Sequence, residues 1–488
     1  MNPNGTVVRN TAAGHASIAL AVVGITLAFY LARSVASESY RDVVVAAAVA
    51  QVLWVGFRWR TSVLVFMVYV ATEGFIVNFF HAVPELNLLK DFMAVALFAT
   101  LALALIVNRE QTFFPSRPWL VAFLGFAAIY LLQVFNPSLP NLLVGLVGVR
   151  ATLLFFVLAP VAYWYFDTRE RVLKFFEFMM WLSIPVSLFG ILQSILGAAW
   201  VSSLSPGFTR AVFYAVGSRG RTESSYFRTF STFVHTGGFA LFLSFVLLIT
   251  VAFWILPAWR TRKPLLVSVF ALQFWAFLTT GGRGAFVIVL LSVTLLLLTN
   301  PASRRFVPLL LLIPIFFMGA SYAGITGFQE RYETLLDFDY LVQRNAPLVG
   351  GWLGEAMSTD WVGSGAGYAS VASRHVGLTP LNSNVVENGL AKIRFEAGLP
   401  GLLLYIAFIV SIQFECFVTP GRIPDAEVRW LVTVCAIFVA FNTGLVFAGT
   451  PFDITPTNTY IWFFLGLLAR APRLRPAVAP AVMIAPSR

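Results

Sequence analysis

Long apolar runs alternate with short polar connections along almost the whole chain. A helix that crosses a bilayer needs about 20 consecutive, mostly apolar residues. This measure predicts fourteen membrane-spanning helices, of which residues 265–280 and 284–299 form either a helical hairpin or one interrupted element. The predicted spans are approximately 15–35, 42–57, 61–81, 91–107, 118–136, 145–166, 174–198, 236–256, 265–280, 284–299, 306–324, 398–415, 429–448 and 457–470.

The composition supports this membrane interpretation. Of 488 residues, 59% are hydrophobic and only 11% are charged. Soluble domains carry about 25% charged residues, so both a soluble globular protein and a disordered one are excluded. The four histidines are scattered and the two cysteines form no CxxC pattern, so no metal site is predicted. The predicted fold class is all-α, a polytopic integral membrane protein.

The formal charge of +11 results from 33 Lys and Arg residues against 22 Asp and Glu residues. Many of the basic residues lie in the short loops between the predicted spans. Cytoplasmic loops of membrane proteins collect these residues, and a cytoplasmic N-terminus places most basic connections on that side. The alternation predicts an even number of spans, two cytoplasmic termini and a single multi-span domain over residues 1–471. The Pro/Ala-rich residues 472–488 are predicted to form a disordered cytoplasmic tail. The charge therefore requires no nucleic-acid partner.

Two predicted outer segments, 199–235 and 325–397, are too long to be simple connections. The first contains Arg219, Arg221 and Arg228, although few basic residues are expected on the outer side. A guanidinium group binds phosphate through two parallel hydrogen bonds. The cluster predicts either an outer-face site for a phosphate or pyrophosphate group or a contact with anionic lipid headgroups.

Three other charged residues lie at predicted helix ends or inside a span. Arg150 begins the sixth span, and Arg283 lies at an outer junction between two spans. Each arginine either extends its side chain to the membrane interface or lines a substrate cavity. Glu73 lies inside the third span, where a buried pair with an arginine or a contact with Asn78 is a simpler explanation than catalysis.

The second outer segment ends in the most informative pattern of the chain. A glycine triplet at 363–367 is followed by an acidic residue and Asn at 387–388, and then by a run into the twelfth span. The spacing of residues from 387 to 397 predicts an amphipathic helix at the membrane surface. The alternative is a solvated face formed by the charged residues of this run, which are Glu387, Lys392, Arg394 and Glu396.

The order of these motifs resembles the superfamily of O-antigen ligases and O-antigen polymerases. The similar features are an Asn-Pro…Gly-x-x-Gly-x-Arg segment from Asn136 to Arg150, an Arg-Gly pair at Arg283, and the glycine triplet followed by Glu-Ala-Gly-x-x-Gly at 396–401. Gln193 and a Phe-x-His-x-Gly run are further matches. The resemblance covers about residues 137–415.

The resemblance implies a multi-span glycosyltransferase of the C type (GT-C). Its substrates would be glycans carried on undecaprenyl pyrophosphate at the outer face of the bacterial inner membrane. It implies catalysis without a metal or other cofactor, with arginines holding the pyrophosphate. Arg150 and Arg283 match arginines of the family, whereas Arg219, Arg221 and Arg228 are candidates by location.

One pair of residues separates the polymerases from the ligases. The ligases typically have a His-Asn pair where this chain has Glu387 and Asn388, and the Glu-Asn pair is more similar to repeat-unit polymerases. These two residues are the predicted catalytic residues, because a glutamate can take a proton from an acceptor hydroxyl. Trp361, Tyr368 and His235 are predicted to contact sugar, although aromatic residues are also common at membrane interfaces.

The predicted function is thus inverting polymerisation of lipid-linked repeat units in O-antigen or exopolysaccharide biosynthesis, at the periplasmic face of the inner membrane. A ligase that transfers the glycan to lipid A core or another acceptor is the first alternative, and a transporter or flippase is the second. The expected partners are undecaprenyl-pyrophosphate-linked oligosaccharide, membrane lipids, a chain-length regulator and export machinery.

Overall fold

The computed structural model of the protein describes residues 40–107, 114–216, 227–299, 361–370, 373, 388–446 and 449–474. Every regular element among these residues is an α-helix or a short 3-10 helix, which confirms the predicted all-α class. The α-helices are α1 (Tyr40–Phe57), α2 (Trp59–Phe79), α3 (Leu89–Val107), α4 (Pro118–Leu132), α5 (Leu142–Leu153), α6 (Leu158–Tyr165), α7 (Arg169–Ser203), α8 (Pro206–Val216), α9 (Thr236–Ile255), α10 (Lys263–Thr279), α11 (Arg283–Thr299), α12 (Gly389–Val418), α13 (Ala426–Gly444) and α14 (Thr457–Arg470). The 3-10 helices are Pro84–Leu88, Gln133–Phe135, Leu154–Val157, Pro257–Arg262, Pro420–Arg422 and Ala471–Arg473.

Helix length and hydropathy indicate a multi-pass membrane protein. The described residues contain eight helical segments long and apolar enough to cross a membrane. Helices overlap all predicted spans except 15–35 and 306–324, which lie outside the described residues. The eight segments are Trp59–Phe79, Glu85–Val107, Pro118–Phe135, Leu142–Tyr165, Arg169–Ser203, Thr236–Ile255, Gly389–Arg422 and Ala426–Gly444.

Glycines set the boundaries of several helices. The predicted pair 265–280 and 284–299 forms two separate helices, α10 and α11, with Gly281 at φ 57° between them. Helices α7 and α12 are interrupted at Gly197 and Gly398, which have φ values of 79° and 67°. Glycine adopts such left-handed conformations without steric penalty. The break divides α12 into a short first part before Gly398 and a longer second part.

One end of the helix bundle, here called the basic end, collects the connections rich in Lys and Arg. Arg60 lies 3.2 Å from Asp167, so the α1–α2 and α6–α7 connections are adjacent. Arg169 lies 2.9 Å from Asp425, which joins the start of α7 to the start of α13. The basic residues of this end are Arg58, Arg60, Arg117, Arg169, Arg171, Lys174, Arg260, Arg262, Lys263, Arg422, Arg429, Arg470 and Arg473.

The other ends of the same helices meet at what is here called the opposite end. Backbone hydrogen bonds join Phe75 near the end of α2 to Thr232, and Thr229 to Thr279 at the end of α10. This division into two ends agrees with the predicted alternation of the connections. The first two residues of the predicted tail, 472 and 473, belong to the 3-10 turn Ala471–Arg473. Residues from 475 onward lie outside the described part.

The packing of α14 against α6 depends on a residue without a side chain. The buried ring of Trp462 in α14 packs against α4 and α12. It is 1% exposed, and its centroid lies 4.6 Å from that of Phe123 in α4 and 5.6 Å from that of Phe408 in α12. One turn later, a Cβ at Gly466 would collide with the carbonyl oxygen of Ala159 in α6. Gly466 therefore lets the two backbones approach closely, as small residues do between membrane helices.

We predict that Gly466→Ala lowers the thermal stability of the detergent-solubilised protein. The added methyl group forces α14 away from α6, and overpacking of this kind costs about 1–3 kcal/mol. Gly284→Ala is the matched control, because among the described residues no atom beyond its chain neighbours and its own helix backbone lies within 4 Å of the added Cβ. Equal melting temperatures for the two variants would contradict the close approach of α6 and α14.

Candidate functional site

Residues 361–370 form a glycine-rich loop that lies between α5 and α12 at the opposite end. Gly363, Gly365 and Gly367 have φ values of 87°, 105° and 76°. A side chain at Gly367 would also collide with the backbone of α5 at Gly148. The glycine triplet is thus required both by the backbone conformation and by the contact of the loop with α5.

Side chains at the end of α4 hold this loop in place. Gln133 Nε2 donates to the carbonyl of Val362 at 2.6 Å, and Asn136 Nδ2 donates to the carbonyl of Gly363 at 2.9 Å. The backbone N–H of Ala366 in turn donates to the carbonyl of Gln133 at 3.1 Å. The Asn-Pro segment and the glycine triplet, more than 200 residues apart, are therefore in direct contact.

The same loop supplies hydrogen-bond partners for backbone groups at the break in α12. The N–H of Leu399 would bond the carbonyl of Phe395 in an unbroken helix. Instead, Leu399 donates to the carbonyl of Trp361 at 3.0 Å, and Phe395 accepts from the N–H of Ser364 at 2.7 Å. Backbone groups released by Gly398 are thereby satisfied by the loop, as buried backbone groups require.

A buried lysine lies between two carboxylates beside the loop. Lys392 Nζ pairs with Asp453 and lies 3.5 Å from Oε2 of Glu396. The side chains of Lys392, Glu396 and Asp453 are 2%, 0% and 5% exposed. Charges so far from water are stable only when they are paired and hydrogen-bonded.

Neighbouring groups satisfy the remaining oxygens of the two carboxylates. The Tyr130 hydroxyl donates to Glu396 Oε2 at 2.6 Å, and the N–H of Ala369 donates to Oε1 at 2.9 Å. The Thr152 hydroxyl donates to Asp453 Oδ1 at 3.0 Å. The network therefore joins α4, α5, the first part of α12, the glycine-rich loop and the connection before α14.

The amphipathic surface helix predicted at 387–397 is wrong for the described residues of that run, and the alternative of a solvated face is also wrong. Lys392, Arg394 and Glu396 are 2%, 7% and 0% exposed. The reason is that the glycine-rich loop and the connection before α14 cover this part of α12. Neither segment is close to it in sequence.

Two further ion pairs join α3 to α2 and to α5. Glu73 forms a buried pair, as the simpler explanation predicts, but its partner is Lys90 rather than an arginine. Arg150 Nε lies 2.6 Å from Asp91 Oδ2, and the Arg150 side chain is 35% exposed. The other carboxylate oxygen of Asp91 is buried, and the described residues provide no hydrogen-bond partner for it. Arg150 is thus held by a carboxylate while its guanidinium remains accessible.

His235 and Arg228 lie near Lys90 and complete this end of the bundle. His235 Nδ1 caps α9 by accepting from the N–H of Gly238 at 3.0 Å. Arg228 Nε donates to the carbonyl of Thr280 at 3.1 Å, just before the start of α11. Burial lowers the pKa of His235, and the charges of Arg228 and Lys90 lower it further, whereas a hydrogen bond with the backbone of Thr455 opposes them. The imidazole is therefore held in its neutral form.

The predicted sugar-contacting residues Trp361 and Tyr368 lie in the glycine-rich loop, and the predicted catalytic residue Asn388 lies at the start of α12. Trp361 is 73% exposed at the start of the glycine-rich loop, and the Tyr368 ring packs on Phe395 with centroids 5.4 Å apart. Asn388 caps α12, since its side-chain oxygen accepts from the N–H groups of Leu390 and Ala391.

The remaining predicted residues are divided between the described and undescribed parts of the chain. Arg283 is the first residue of α11, three residues after the carbonyl that Arg228 contacts. Glu387, Arg219 and Arg221 lie outside the described residues.

Sequence reasoning missed the most buried polar residues of the site. Lys392 and Glu396 stand four residues apart in a run that leads into a span, and this i, i+4 spacing was an available signal. Asp453 and Tyr130 carried no comparable signal, because their partners are distant in the chain. Asp91 follows Lys90 directly in the sequence. An acidic residue beside a basic residue at the end of a span is ordinarily solvent-exposed, so this pattern did not indicate that each would pair with a residue of another helix.

We predict that Lys392→Met strongly destabilises the protein. The substitution leaves Asp453 and Glu396 buried without their cation, and breaking a buried pair in this way costs about 3–5 kcal/mol. Thermal unfolding in detergent measures the loss. The double variant Lys392→Met/Asp453→Asn is expected to recover part of it, because one uncompensated charge is removed. Wild-type stability of Lys392→Met would show that the network is not formed.

We predict a pH-dependent contribution of His235 to stability. Because its pKa lies below the usual 6.5 in the folded state, the unfolded chain binds the proton more readily. The contribution is complete above pH 6.5 and is lost as the pH falls from there through the folded-state pKa. His235→Asn retains a side-chain cap and should have a smaller decrease in melting temperature between about pH 7 and pH 5. Identical pH profiles would contradict the assignment.

Comparison with known proteins does not identify a family, so the site is interpreted from its geometry. No protein-family model matches the chain, and no curated protein matches it.

Proposed function

We propose that the protein is a membrane glycosyltransferase that polymerises oligosaccharide repeat units carried on undecaprenyl pyrophosphate. The observation that carries this proposal is the contact between the segments on which the family resemblance rests. Residues 136–150, 363–367 and 396–401 are distant in sequence, yet they are joined by hydrogen bonds and close backbone contacts at the opposite end. Accidental similarity would not require these segments to share one location.

Positive charge at the same end supports a site for pyrophosphate. Lys90 and Arg228 lie close enough to His235 to lower its pKa, and Arg150 pairs with the residue that follows Lys90. Preorganised cations stabilise negative charge that develops on a leaving group. We assign Arg150, Arg228 and Arg283 to the pyrophosphate, together with Arg219 and Arg221, which the resemblance and their location suggest.

The proposed reaction is an inverting displacement. The oxygen of an acceptor hydroxyl attacks the anomeric carbon of the donor sugar, and the bond from that carbon to the pyrophosphate oxygen breaks. Undecaprenyl pyrophosphate leaves with the bonding electrons, and Glu387 takes the hydroxyl proton as general base. Asn388 caps α12 immediately after Glu387, which supports a fixed start of this helix beside the base.

The distribution of charge favours a periplasmic site. Cytoplasmic loops are the ones that collect Lys and Arg, so the basic end is assigned to the cytoplasm. The opposite end, with the glycine-rich loop and the Lys392 network, then faces the periplasm of a bacterial inner membrane. Lipid-linked glycans presented at that face would reach it directly.

Transport of an anionic solute or lipid is a second candidate. The buried residues Lys392, Glu396 and Asp453 favour it, because ionisable groups inside a membrane protein often mark a transport path. They lie where α12 is broken beside a loop, however, and their charges are satisfied by one another and by neighbouring hydrogen bonds. The glycosyltransferase is favoured over transport because it also accounts for the contact between the motif segments.

We predict that purified protein in lipid converts undecaprenyl-pyrophosphate oligosaccharide from the native pathway into a ladder of longer chains. Glu387→Gln should lower the rate by about 10²–10⁴-fold, the contribution of a general base. Arg283→Ala should lower it by about 10²-fold or more through lost stabilisation of the leaving group. Arg260→Ala, an exposed arginine at the basic end, is the matched control and should retain activity.

Gel electrophoresis and mass spectrometry of the products distinguish the alternatives. Consumption of the donor only when a separate acceptor is supplied would indicate a ligase. Absence of turnover with a verified donor, together with flux of a solute or lipid across proteoliposomes, would favour the transporter. Full activity of Glu387→Gln would refute the assignment of the base.

A further inference from the structure

Helix α7 changes direction sharply after its break at Gly197. The Phe189 ring before the break lies 5.5 Å from the Phe75 ring of α2 and 6.3 Å from the Trp200 ring after the break, measured between centroids. In a straight helix, residues 189 and 200 would lie about 16 Å apart along the axis. The left-handed conformation of Gly197 permits the turn, so the last residues of α7 return towards α2.

Helix α8, which follows α7, is thereby held at the depth where α2 ends. The Phe208 ring of α8 packs on the Phe75 ring with centroids 5.7 Å apart, and Ser205 Oγ just before α8 donates to the carbonyl of Asn78 at 2.6 Å. Phe75 and Asn78 belong to the last turns of Trp59–Phe79, which is long and apolar enough to cross a membrane. The first turn of α8 therefore lies beside the end of a span rather than far out in solution.

The inward face of α8 belongs to a small apolar core that is separate from the main core of the bundle. Phe208, Val212 and Ala215 are buried and pack with Val201 and Phe230. Residues three and four positions apart lie on one side of a helix, so these contacts fix the rotation of α8 about its axis. The orientation of its other face is fixed with it.

The outward face of α8 combines aromatic rings with a positive charge. Phe213 and Tyr214 are 63% and 75% exposed, and their ring centroids lie 5.8 Å apart. Arg210 is exposed on the same face, three and four positions earlier. Phe79 and Phe80 are exposed where α2 ends. Aromatic residues and arginine on one face of a helix are typical of helices that lie in a membrane interface.

We propose that α8 is an interfacial helix whose outward face lies in the headgroup region of the lipid leaflet at the opposite end. The rings of Phe213 and Tyr214 lie between the headgroups and the first part of the acyl chains, and the Arg210 guanidinium meets a lipid phosphate. A phospholipid layer fits this face because its phosphate complements the arginine and because the contacts with Phe75 and Asn78 hold α8 at the depth of that layer. This membrane contact is independent of the proposed catalytic function.

Fluorescence quenching in vesicles of phosphatidylethanolamine and phosphatidylglycerol tests the depth of α8. The full chain with Phe213→Cys is labelled with a bimane probe, and the wild-type protein, whose two cysteines are buried, is the labelling blank. We expect a nitroxide on a lipid headgroup to quench the probe several-fold more strongly than a nitroxide in the middle of an acyl chain. Leu124→Cys, at an exposed position near the middle of the α4 span, is the control and should show the reverse order.

Probes at other positions of α8 test its orientation and remain informative if Phe213→Cys fails to fold. Thr209→Cys and Tyr214→Cys lie on the outward face, and the headgroup nitroxide should quench their probes about as strongly as the probe at 213. Val212→Cys and Ala215→Cys lie on the inward face, where labelling should be slow and quenching several-fold weaker. Equal quenching on both faces would contradict the orientation of α8.

The lipid dependence of thermal stability in detergent tests the contact of Arg210. Phosphatidylglycerol should raise the melting temperature more than phosphatidylcholine, because its headgroup is anionic. Arg210→Gln should reduce this difference, whereas Arg210→Lys keeps the positive charge and should retain most of it. An undiminished difference in Arg210→Gln would contradict the contact with a lipid phosphate.

Three results would overturn the position of α8 at the interface. Quenching of the probe at 213 by aqueous iodide but by neither lipid nitroxide would place the outward face in solution. Stronger quenching by the acyl-chain nitroxide would place it deeper in the bilayer. Protection from all three quenchers would assign the face to a protein contact, and a cross-link between two Phe213→Cys chains would identify a second copy as the partner.

Discussion

The pairing of Lys392 with two buried carboxylates is the interaction on which the opposite end of the bundle depends. A lone ammonium group at this depth would be too costly to retain its charge. Asp453 and Glu396 compensate it, and Tyr130, Thr152 and the N–H of Ala369 satisfy the other oxygens. Each partner comes from a different element, so the network fixes their relative positions as well as their charges.

The break in α12 and the glycine-rich loop are consequences of the same arrangement. Glu396 can accept from the N–H of Ala369 only if the loop lies directly on the first part of α12. Gly398 permits that approach, because any side chain there would collide with the backbone of Trp361 and Val362. The loop then supplies the two backbone partners that the interrupted helix lacks. Helix break, loop and buried charges therefore form one cooperative unit.

The positions of the helices could be predicted from the sequence, whereas most of the contacts at the site could not. Apolar runs define spans because every backbone polar group in a bilayer must be satisfied within the segment, and this constraint is local. The burial of Glu396 is instead imposed by residues more than 20 positions away, such as Ala369. Glu73 shows the intermediate case, since its depth indicated a buried pair but local sequence did not identify Lys90.

The geometry of Arg150 differs from that of an arginine that merely extends to the membrane interface. A snorkelling side chain reaches water and needs no buried partner, but Arg150 is held at Nε by Asp91. A carboxylate in that position fixes the guanidinium plane before any ligand arrives, which is the preorganisation that stabilises phosphate charge effectively. Arg150 Nη2 also donates to the carbonyl of Asn87 at 3.4 Å, so two contacts orient the guanidinium plane, and parallel hydrogen bonds from a guanidinium group suit phosphate. Under the proposed function, Asp91 is therefore a positioning residue that orients Arg150.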